Sequence, residues 1–224
     1  MVTALAARDT ATSTLAGICS VSAELLAVDG AAIVLVGVDQ QPVAIYASNS
    51  GFDQLEDLQF TLGVGPALDA FTRGAPVMEA DLIDDPPLQW PGYADLAFGA
   101  GVQSVFSFPL QVGAARLGVL TFYQAAAGML DGERYADALV MAAVVTKTML
   151  DVQAGTSDGN LAASLSQGHV DLAEVHQATG MVSAQLHIGV VEALARIRAH
   201  SFATGTNVHD VARAVVGRSL YLSS

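Results

Sequence analysis

The chain has 224 residues, enough for one large domain or two small ones, and 52% of them are hydrophobic, which allows a sizeable core. Asp, Arg or Gln interrupts each apolar run before it reaches the ~18 residues of a membrane span, and the first 30 residues lack the layout of a secretion signal. The net charge of −13 argues against indiscriminate binding of nucleic acid. We therefore expect a cytoplasmic protein with no membrane partner.

The sequence lacks the residue combinations of several common catalytic and cofactor sites. Residues 1–150 contain no histidine, which excludes a Ser/His or Cys/His pair there. Gly63-x-Gly65 lacks the third glycine of a dinucleotide motif, and no GK[ST] phosphate loop is present. The single cysteine, Cys19, excludes an intrachain disulfide and a cysteine-based metal cage, and its interpretation as a buried apolar residue or a redox switch stays open. The sequence predicts no enzyme, no cofactor and no metal site.

The first two thirds of the chain mix helix and strand patterns. Helical spacing of apolar residues predicts helices at 10–28 and 131–149, a third that begins near Pro66 and ends at Gly74, and a short fourth in the segment with Trp90, Tyr93, Leu96 and Phe98. Short apolar or alternating runs predict strands at 32–38, 43–47, 55–62, 77–80, 104–112 and 117–123. This order of elements predicts an α+β domain, an antiparallel sheet flanked by helices.

Residues 12–150 resemble a GAF domain. The similarity lies in the order of the elements, in Leu62-Gly-Val-Gly-Pro66 before a helix, and in Ser107-Phe-Pro-Leu-Gln-Val-Gly113 before Leu117-Gly-Val-Leu120. The resemblance implies a sensory module that holds a small molecule, or only a dimer interface, between sheet and helices. Candidate pocket residues, which would otherwise fill the core, are Trp90, Tyr93, Phe106, Phe108 and Tyr123.

The last quarter of the chain is predicted to be an all-α bundle. Apolar stripes at helical spacing span 165–182, 190–197 and 208–216, and Asn207 is a candidate N-terminal cap of the third helix. The stretch 151–164 is the predicted linker, because it contains a segment dense in Gly, Ser and Asp. The sequence therefore predicts a second domain of three helices at 165–222.

These three helices also carry a resemblance. Ala178-x-Gly180-Met181, Glu192-Ala193, Leu194, Arg198-Ala199 and Asp210-Val211-Ala212 are similar in order and spacing to the ANTAR domain, an RNA-binding module of bacterial transcription antiterminators. The resemblance implies that a homodimer binds paired hairpins in nascent RNA. The whole chain is similar to the GAF and ANTAR domain-containing antitermination regulators of actinobacteria. Many ANTAR domains carry a lysine where this chain has Thr179.

The charge is unevenly distributed. Residues 1–150 hold sixteen acidic and five basic residues, whereas four arginines balance four acids from residue 165 onward. Binding of RNA by the neutral part would depend on shape and dimer pairing more than on net charge. Gly180 indicates either a close helix crossing or a surface that another molecule approaches. The predicted RNA-binding residues are Thr179, Gly180, Arg196, Arg198, His209 and Arg213.

Two functions remain open at this point. The first is a transcription antitermination regulator that binds hairpin RNA through its C-terminal helices, under control of the N-terminal sensory domain and of an unidentified small-molecule effector. The second is a ligand-sensing or dimerisation protein whose C-terminal bundle binds other proteins instead of RNA.

Overall fold

The computed structural model describes residues 11–37, 42–90, 92–155, 172–204, 206 and 208–222. The chain divides into two compact units, Met1–Val170 and Asp171–Ser224, and each is described by itself. Leu165, Asn207 and the part of the predicted linker from 156 to 164 lie outside the described residues.

Both units contain the classes of element that the sequence predicts. The first unit consists of α1 (Ala11–Leu26), β1 (Gly30–Val36), β2 (Pro42–Ala47), α2 (Ser50–Leu62), α3 (Pro66–Arg73), β3 (Val77–Glu79), α4 (Tyr93–Gly99), β4 (Ser104–Val112), β5 (Ala115–Gln124) and α5 (Gly132–Gly155). The second unit consists of α6 (Leu172–Leu186), α7 (Val190–Thr204) and α8 (Val208–Val216). Within the described ranges, no helix is both long and apolar enough to cross a membrane.

The five strands form one antiparallel sheet in the order β2-β1-β5-β4-β3. Because successive side chains of a strand point to opposite faces, this sheet presents two apolar faces. Ile33 and Phe122 pack with α1 and α5 on one face, whereas Ala32 and Tyr123 pack with α2, α3 and α4 on the other. The predicted α+β architecture, a sheet flanked by helices, is confirmed.

One predicted strand is wrong. Residues 55–62 belong to helix α2, which begins where the Asn49 side chain accepts hydrogen bonds from the backbone N–H groups of Gly51 and Phe52, at 2.9 and 3.3 Å. The buried stripe of α2 has helical spacing, but two of its members, Glu56 and Gln59, are polar. Apolar periodicity alone therefore misses this helix.

The boundaries of α3 agree with the predicted turn residues, whereas α5 is longer than predicted. Helix α3 starts at Pro66 and is ended by Gly74, whose φ of 64° is the left-handed conformation that glycine adopts at low cost. Helix α5 continues to Gly155, past the predicted end at 149.

The second unit is a three-helix bundle with a small core. Its buried side chains come from the stripes that the sequence predicts, and they include Val182 of α6, Ile197 of α7 and Val211 of α8. Alanines at the contacts, such as Ala178 and Ala212, let the helices approach closely. The all-α character of this unit is confirmed.

The tight packing of the sheet generates the first prediction. A Cβ atom added to Gly118 of β5 would lie 2.0 Å from the backbone oxygen of Val34 on β1. Backbone cannot move aside as a flexible side chain can, so we expect Gly118→Ala to lower the free energy of unfolding by about 3 kcal/mol. Urea denaturation followed by the fluorescence of Trp90, the only tryptophan, measures this unit selectively.

Gly132→Ala is the matched control, because a Cβ at Gly132 would meet nothing within 4 Å. Equal urea midpoints for the two variants would contradict the close approach of β5 to β1.

Candidate functional site

Arg213, one of the predicted RNA-binding residues, is exposed and forms two ion pairs. It lies on α8, where its Nε is 3.3 Å from Glu174 Oε2 on α6 and its Nη1 is 3.2 Å from Asp210 Oδ1. With 64% of its side chain exposed, the guanidinium is accessible, but two carboxylates already share its charge. A phosphate at this position would have to compete with Glu174 and Asp210.

Gly180 lies on an open part of α6. It is exposed, and among the described residues nothing lies within 4 Å of the position that a Cβ would take. A close helix crossing therefore does not explain this glycine, and its second interpretation, a surface that another molecule approaches, remains. His209 lies one turn before Arg213 on the same flank of α8, and it is half-buried.

Thr179 does not share the open surface of Gly180. It is buried at 9% exposure, and its hydroxyl donates a hydrogen bond of 2.7 Å to the backbone oxygen of Val175 within the same helix. Consecutive helix residues point about 100° apart, so Thr179 faces away from the exposed side of α6.

Arg196 and Arg198 point to different sides of α7. Two residues on one helix are about 200° apart around the axis, so no single surface holds both guanidinium groups. Arg196 is paired with Glu192 at 3.4 Å, and both arginines are half-buried. The structure thus brings together His209 and Arg213, but it separates Arg196 from Arg198.

The five predicted pocket aromatics do not come together either. Phe106 and Phe108 lie on the face of the sheet that α1 and α5 cover, whereas Trp90, Tyr93 and Tyr123 lie on the opposite face. All five are buried. They therefore divide into two groups with the sheet between them.

The face that α2, α3 and α4 cover contains a buried carboxylate that the sequence reasoning missed. Glu56 is fully buried; its Oε1 accepts a hydrogen bond of 2.5 Å from the hydroxyl of Tyr123, and its Oε2 accepts one of 2.9 Å from Gln59 Nε2. Gln59 Oε1 in turn accepts a hydrogen bond of 2.8 Å from the backbone N–H of Ala67 at the start of α3. This Glu56 network joins α2 to β5 and to α3.

Burial controls the charge of this carboxyl group. Removal from water raises the pKa of Glu56 from 4.5 to about 7, although hydrogen bonds from Tyr123 and Thr121 act in the opposite direction. The sequence contained one signal for this acid: Glu56 shares helical spacing with Phe52, Leu55 and Gln59. All four side chains are buried in the structure. A buried acid that titrates near neutral pH is typical of functional sites.

Three further aromatic side chains, Phe52, Trp90 and Tyr93, share a buried cluster with Tyr123 of the Glu56 network. Phe52 stacks on Tyr123 with ring centres 4.8 Å apart, and Trp90 meets Tyr93 edge-on at 6.1 Å. The indole N–H of Trp90 donates to Asp69 Oδ2 at 3.2 Å. The hydroxyl of Tyr93 is buried and has no hydrogen-bond partner among the described residues, so it is a polar group on this face that is available to another molecule.

A groove lies on the opposite face of the sheet. It has a volume of about 230 Å³ and runs between β4, α5 and the end of α3. Of the predicted aromatics, Phe108 lines it, together with Pro109, Leu139, Ala143 and Thr146. Apart from Gln111 and Thr146 its side chains are apolar, so the groove offers few groups that could orient a polar ligand.

The remaining candidates for chemistry are buried or scattered. Cys19 is fully buried, its thiol donates to the backbone oxygen of Tyr46 at 3.4 Å, and burial raises its pKa to about 12, so the reactive thiolate is disfavoured. Within the described ranges, no three His, Cys, Asp or Glu side chains are grouped as a metal site.

Comparison with known proteins finds a family match in the C-terminal part of the chain and a similarity of fold for the first unit. Residues 165–216 match the family model of the ANTAR domain. The first unit is similar to the GAF domain of a phosphoenolpyruvate-protein phosphotransferase from Coxiella burnetii, with a TM-score of 0.55 at 17% identity over 68% of this chain and 90% of that chain. No curated protein matches the sequence.

Two further solved structures have the same fold. The GAF domain of a phosphoenolpyruvate-protein phosphotransferase from Acinetobacter has a TM-score of 0.50 at 14% identity, covering 68% of this chain and 90% of that chain. The GAF domain of the cyanobacteriochrome TePixJ has a TM-score of 0.52 at 14% identity, covering 66% and 94%. The chain thus combines a unit of GAF fold with an ANTAR domain, as its sequence predicts.

The buried Glu56 generates the second prediction. The folded protein keeps its proton up to a pH of about 7 because the pKa of Glu56 is raised, whereas the unfolded chain releases it near 4.5. The contribution of Glu56 to stability is therefore complete below pH 4.5 and is lost as the pH rises to 7. For the wild-type protein we therefore expect the free energy of unfolding to fall by about 3 kcal/mol over this range, and for Glu56→Gln we expect no such fall.

Urea titrations followed by Trp90 fluorescence at pH 5, 6, 7 and 8 test this expectation. Residues 1–150, which contain the sheet, Glu56 and Trp90, include no histidine, so no imidazole among them titrates in that range. Parallel pH profiles for wild type and Glu56→Gln would contradict a raised pKa for Glu56.

Proposed function

We propose that this protein is a transcription antitermination regulator that works as a homodimer, binds hairpin RNA through its ANTAR domain, and is controlled by its GAF unit. The observation that carries the proposal is the match of residues 165–216 to the ANTAR family, whose members bind RNA in antitermination. A protein that acts on nascent transcripts works in the cytoplasm, and its function is that of a regulator instead of an enzyme.

The exposed side of the bundle supports an RNA interface of modest charge. Gly180 leaves α6 open to close approach, and Arg213 and His209 lie on one flank of α8. Arg198 belongs to the motif that carries the ANTAR resemblance, whereas Arg196 does not. We therefore place Gly180, Arg198, His209 and Arg213 at the RNA, and we place Arg196 and the buried Thr179 outside it.

Two kinds of input fit the GAF unit. A small-molecule effector would bind on the face of the Glu56 network, where Tyr93 presents an unpaired hydroxyl among the described residues. Alternatively, the unit acts through changes in the contacts between two copies. In both cases the proposed RNA-binding residues belong to the other unit.

Two observations favour a second function, in which the bundle binds a protein. Glu174 and Asp210 offset the charge of Arg213, and Thr179 stands where many ANTAR domains carry a lysine. Crosslinking of the intact protein to cellular RNA, followed by sequencing of the bound RNA, separates the two functions. Enrichment of paired hairpins supports antitermination, whereas recovery of protein partners without RNA supports the second function.

The two arginines of α7 provide a charge-matched test. Arg198→Ala and Arg196→Ala each remove one positive charge from the same helix, so long-range electrostatics change equally. We expect Arg198→Ala to weaken binding of a two-hairpin RNA about tenfold, the loss typical of a charged hydrogen bond, and Arg196→Ala to change it less than about twofold. Equal losses in gel-shift titrations would mean that net charge, instead of a contact, explains the effect.

Arg213 and Glu174 should have opposite effects on RNA binding. Glu174→Gln releases Arg213 from one carboxylate, so we expect stronger binding, whereas Arg213→Ala should weaken binding and lower the salt dependence by about one phosphate contact. An exposed ion pair is worth no more than about 1 kcal/mol, so both variants should fold. Loss of affinity in both variants would assign the pair a structural role and remove Arg213 from the interface.

A further inference from the structure

The outward side of helix α5 carries a stripe with an unusual symmetry. Its residues are Glu133, Ala136, Val140, Val144 and Lys147, separated by three, four, four and three positions, and all five are exposed. These spacings place the five side chains along one line of the helix. The spacing is the same in both directions from Val140: an apolar residue, Ala136 or Val144, follows after four positions, and a charged residue, Glu133 or Lys147, follows after seven.

The residues in the middle of this stripe are apolar and exposed to solvent. Val140 is 59% exposed and Val144 is 38% exposed, and Leu139 and Leu150 beside them are 43% and 39% exposed. The inward side of the same helix is also apolar, because Ala138, Ala142, Val145 and Met149 pack in the core against the sheet. A helix that is apolar on both sides is typical of one that is covered on both sides.

We infer that the stripe is the surface on which two copies of this protein pair, through antiparallel contact of their α5 helices about Val140. The inference rests on the homodimer of the proposed function and names the surface that forms it. In this arrangement Val140 meets Val140 of the second copy, Val144 meets Ala136, and Lys147 meets Glu133. Each charge and each apolar side chain of the stripe then has a complementary partner.

The charges of Glu133 and Lys147 favour this antiparallel arrangement over a parallel one. Glu133 and Lys147 are fourteen residues apart, or about 21 Å along the helix, so each end acts as a separate point of contact. Parallel helices would bring Lys147 against Lys147 and Glu133 against Glu133, whereas antiparallel helices pair opposite charges twice. Lys147 is already bonded to Asp151 one turn further on. In the antiparallel arrangement Asp151 reaches the N-terminal end of the other helix, where negative charge is favourable.

Charge reversal in the full-length protein tests the inference. Glu133→Lys and Lys147→Glu each place like charges opposite one another, so we expect either variant to raise the dimer dissociation constant at least tenfold in sedimentation experiments at low salt. The double variant restores opposite charges and should dimerise like wild type. An equimolar mixture of the two single variants should form heterodimers.

Single cysteines test the direction of the helices. Cys19 is buried, so it gives little background reaction. Val140→Cys lies on the two-fold axis and should form an intermolecular disulfide, whereas Ala136→Cys is about 12 Å along the axis from its copy and should not. A parallel pair would crosslink at both positions.

The outcomes separate failure of this surface from failure of the proposed function. A wild-type dimer whose dissociation constant is unchanged by either charge reversal, or disulfides at both cysteine positions, would overturn the antiparallel surface and leave the homodimer intact. A wild-type protein that is monomeric at all concentrations would overturn both. RNA titrations of Glu133→Lys report separately on the ANTAR domain, whose predicted contacts all lie in the other unit.

Discussion

The burial of both faces of the sheet is the constraint on which the first unit depends. The three inner strands, β1, β5 and β4, pair with neighbours on both edges, and their side chains are buried on both faces. A sheet of this kind needs helices on each side, and the sequence supplies α1 and α5 for one face and α2, α3 and α4 for the other. Within the sheet, Gly118 lets β5 approach β1, because a side chain at this position would collide with the backbone of Val34.

Strong periodicity made much of the fold predictable from sequence. The β4–β5 hairpin and the three helices of the bundle have apolar patterns that only one element type fits. Helix α2 was missed because Glu56 and Gln59 replace apolar residues in its buried stripe. These polar residues interrupt the apolar period that would identify the helix. Their role depends on the hydrogen bond between Glu56 and Tyr123, which lie sixty-seven positions apart in the sequence.

A β-bulge explains why the predicted pocket residues Phe106 and Tyr123 lie on opposite faces of the sheet. Next to the turn, Val112 pairs with Ala115 and Gln111 with Arg116, and continuing this register would place Phe106 opposite Thr121. A β-bulge between Leu110 and Gln111 shifts the register by one residue, so that Phe106 instead pairs with Phe122. A shift of one residue moves every side chain beyond it to the other face. Tyr123 therefore lies on the face opposite to Phe106. Counting residues from the turn in a regular register would have placed the two side chains on the same face.

The candidate RNA interface was predictable in outline but not in its electrostatics. Helical spacing alone identifies His209 and Arg213 as neighbours and separates Arg196 from Arg198. The pairing of Arg213 with Glu174 depends on how α6 and α8 pack, and the two residues are thirty-nine positions apart. A neutral bundle whose arginine is partly occupied by carboxylates has little general attraction for nucleic acid. Under the proposed function, this favours recognition of a particular shape over binding to any RNA.

The two faces of the sheet also define how a signal within the GAF unit could reach helix α5. The Glu56 network holds Tyr123 on one face, and its neighbour Phe122 packs with α5 on the other. A change at Glu56, whether of protonation or of a bound effector, therefore acts on the strand that supports α5. Packed interiors respond to such changes by shifting between discrete arrangements, because they are too dense to deform gradually. If α5 pairs with its copy through its outward side, as we propose, the same helix contacts both the core of the GAF-fold unit and the second protomer, and a signal needs no further intermediate between them.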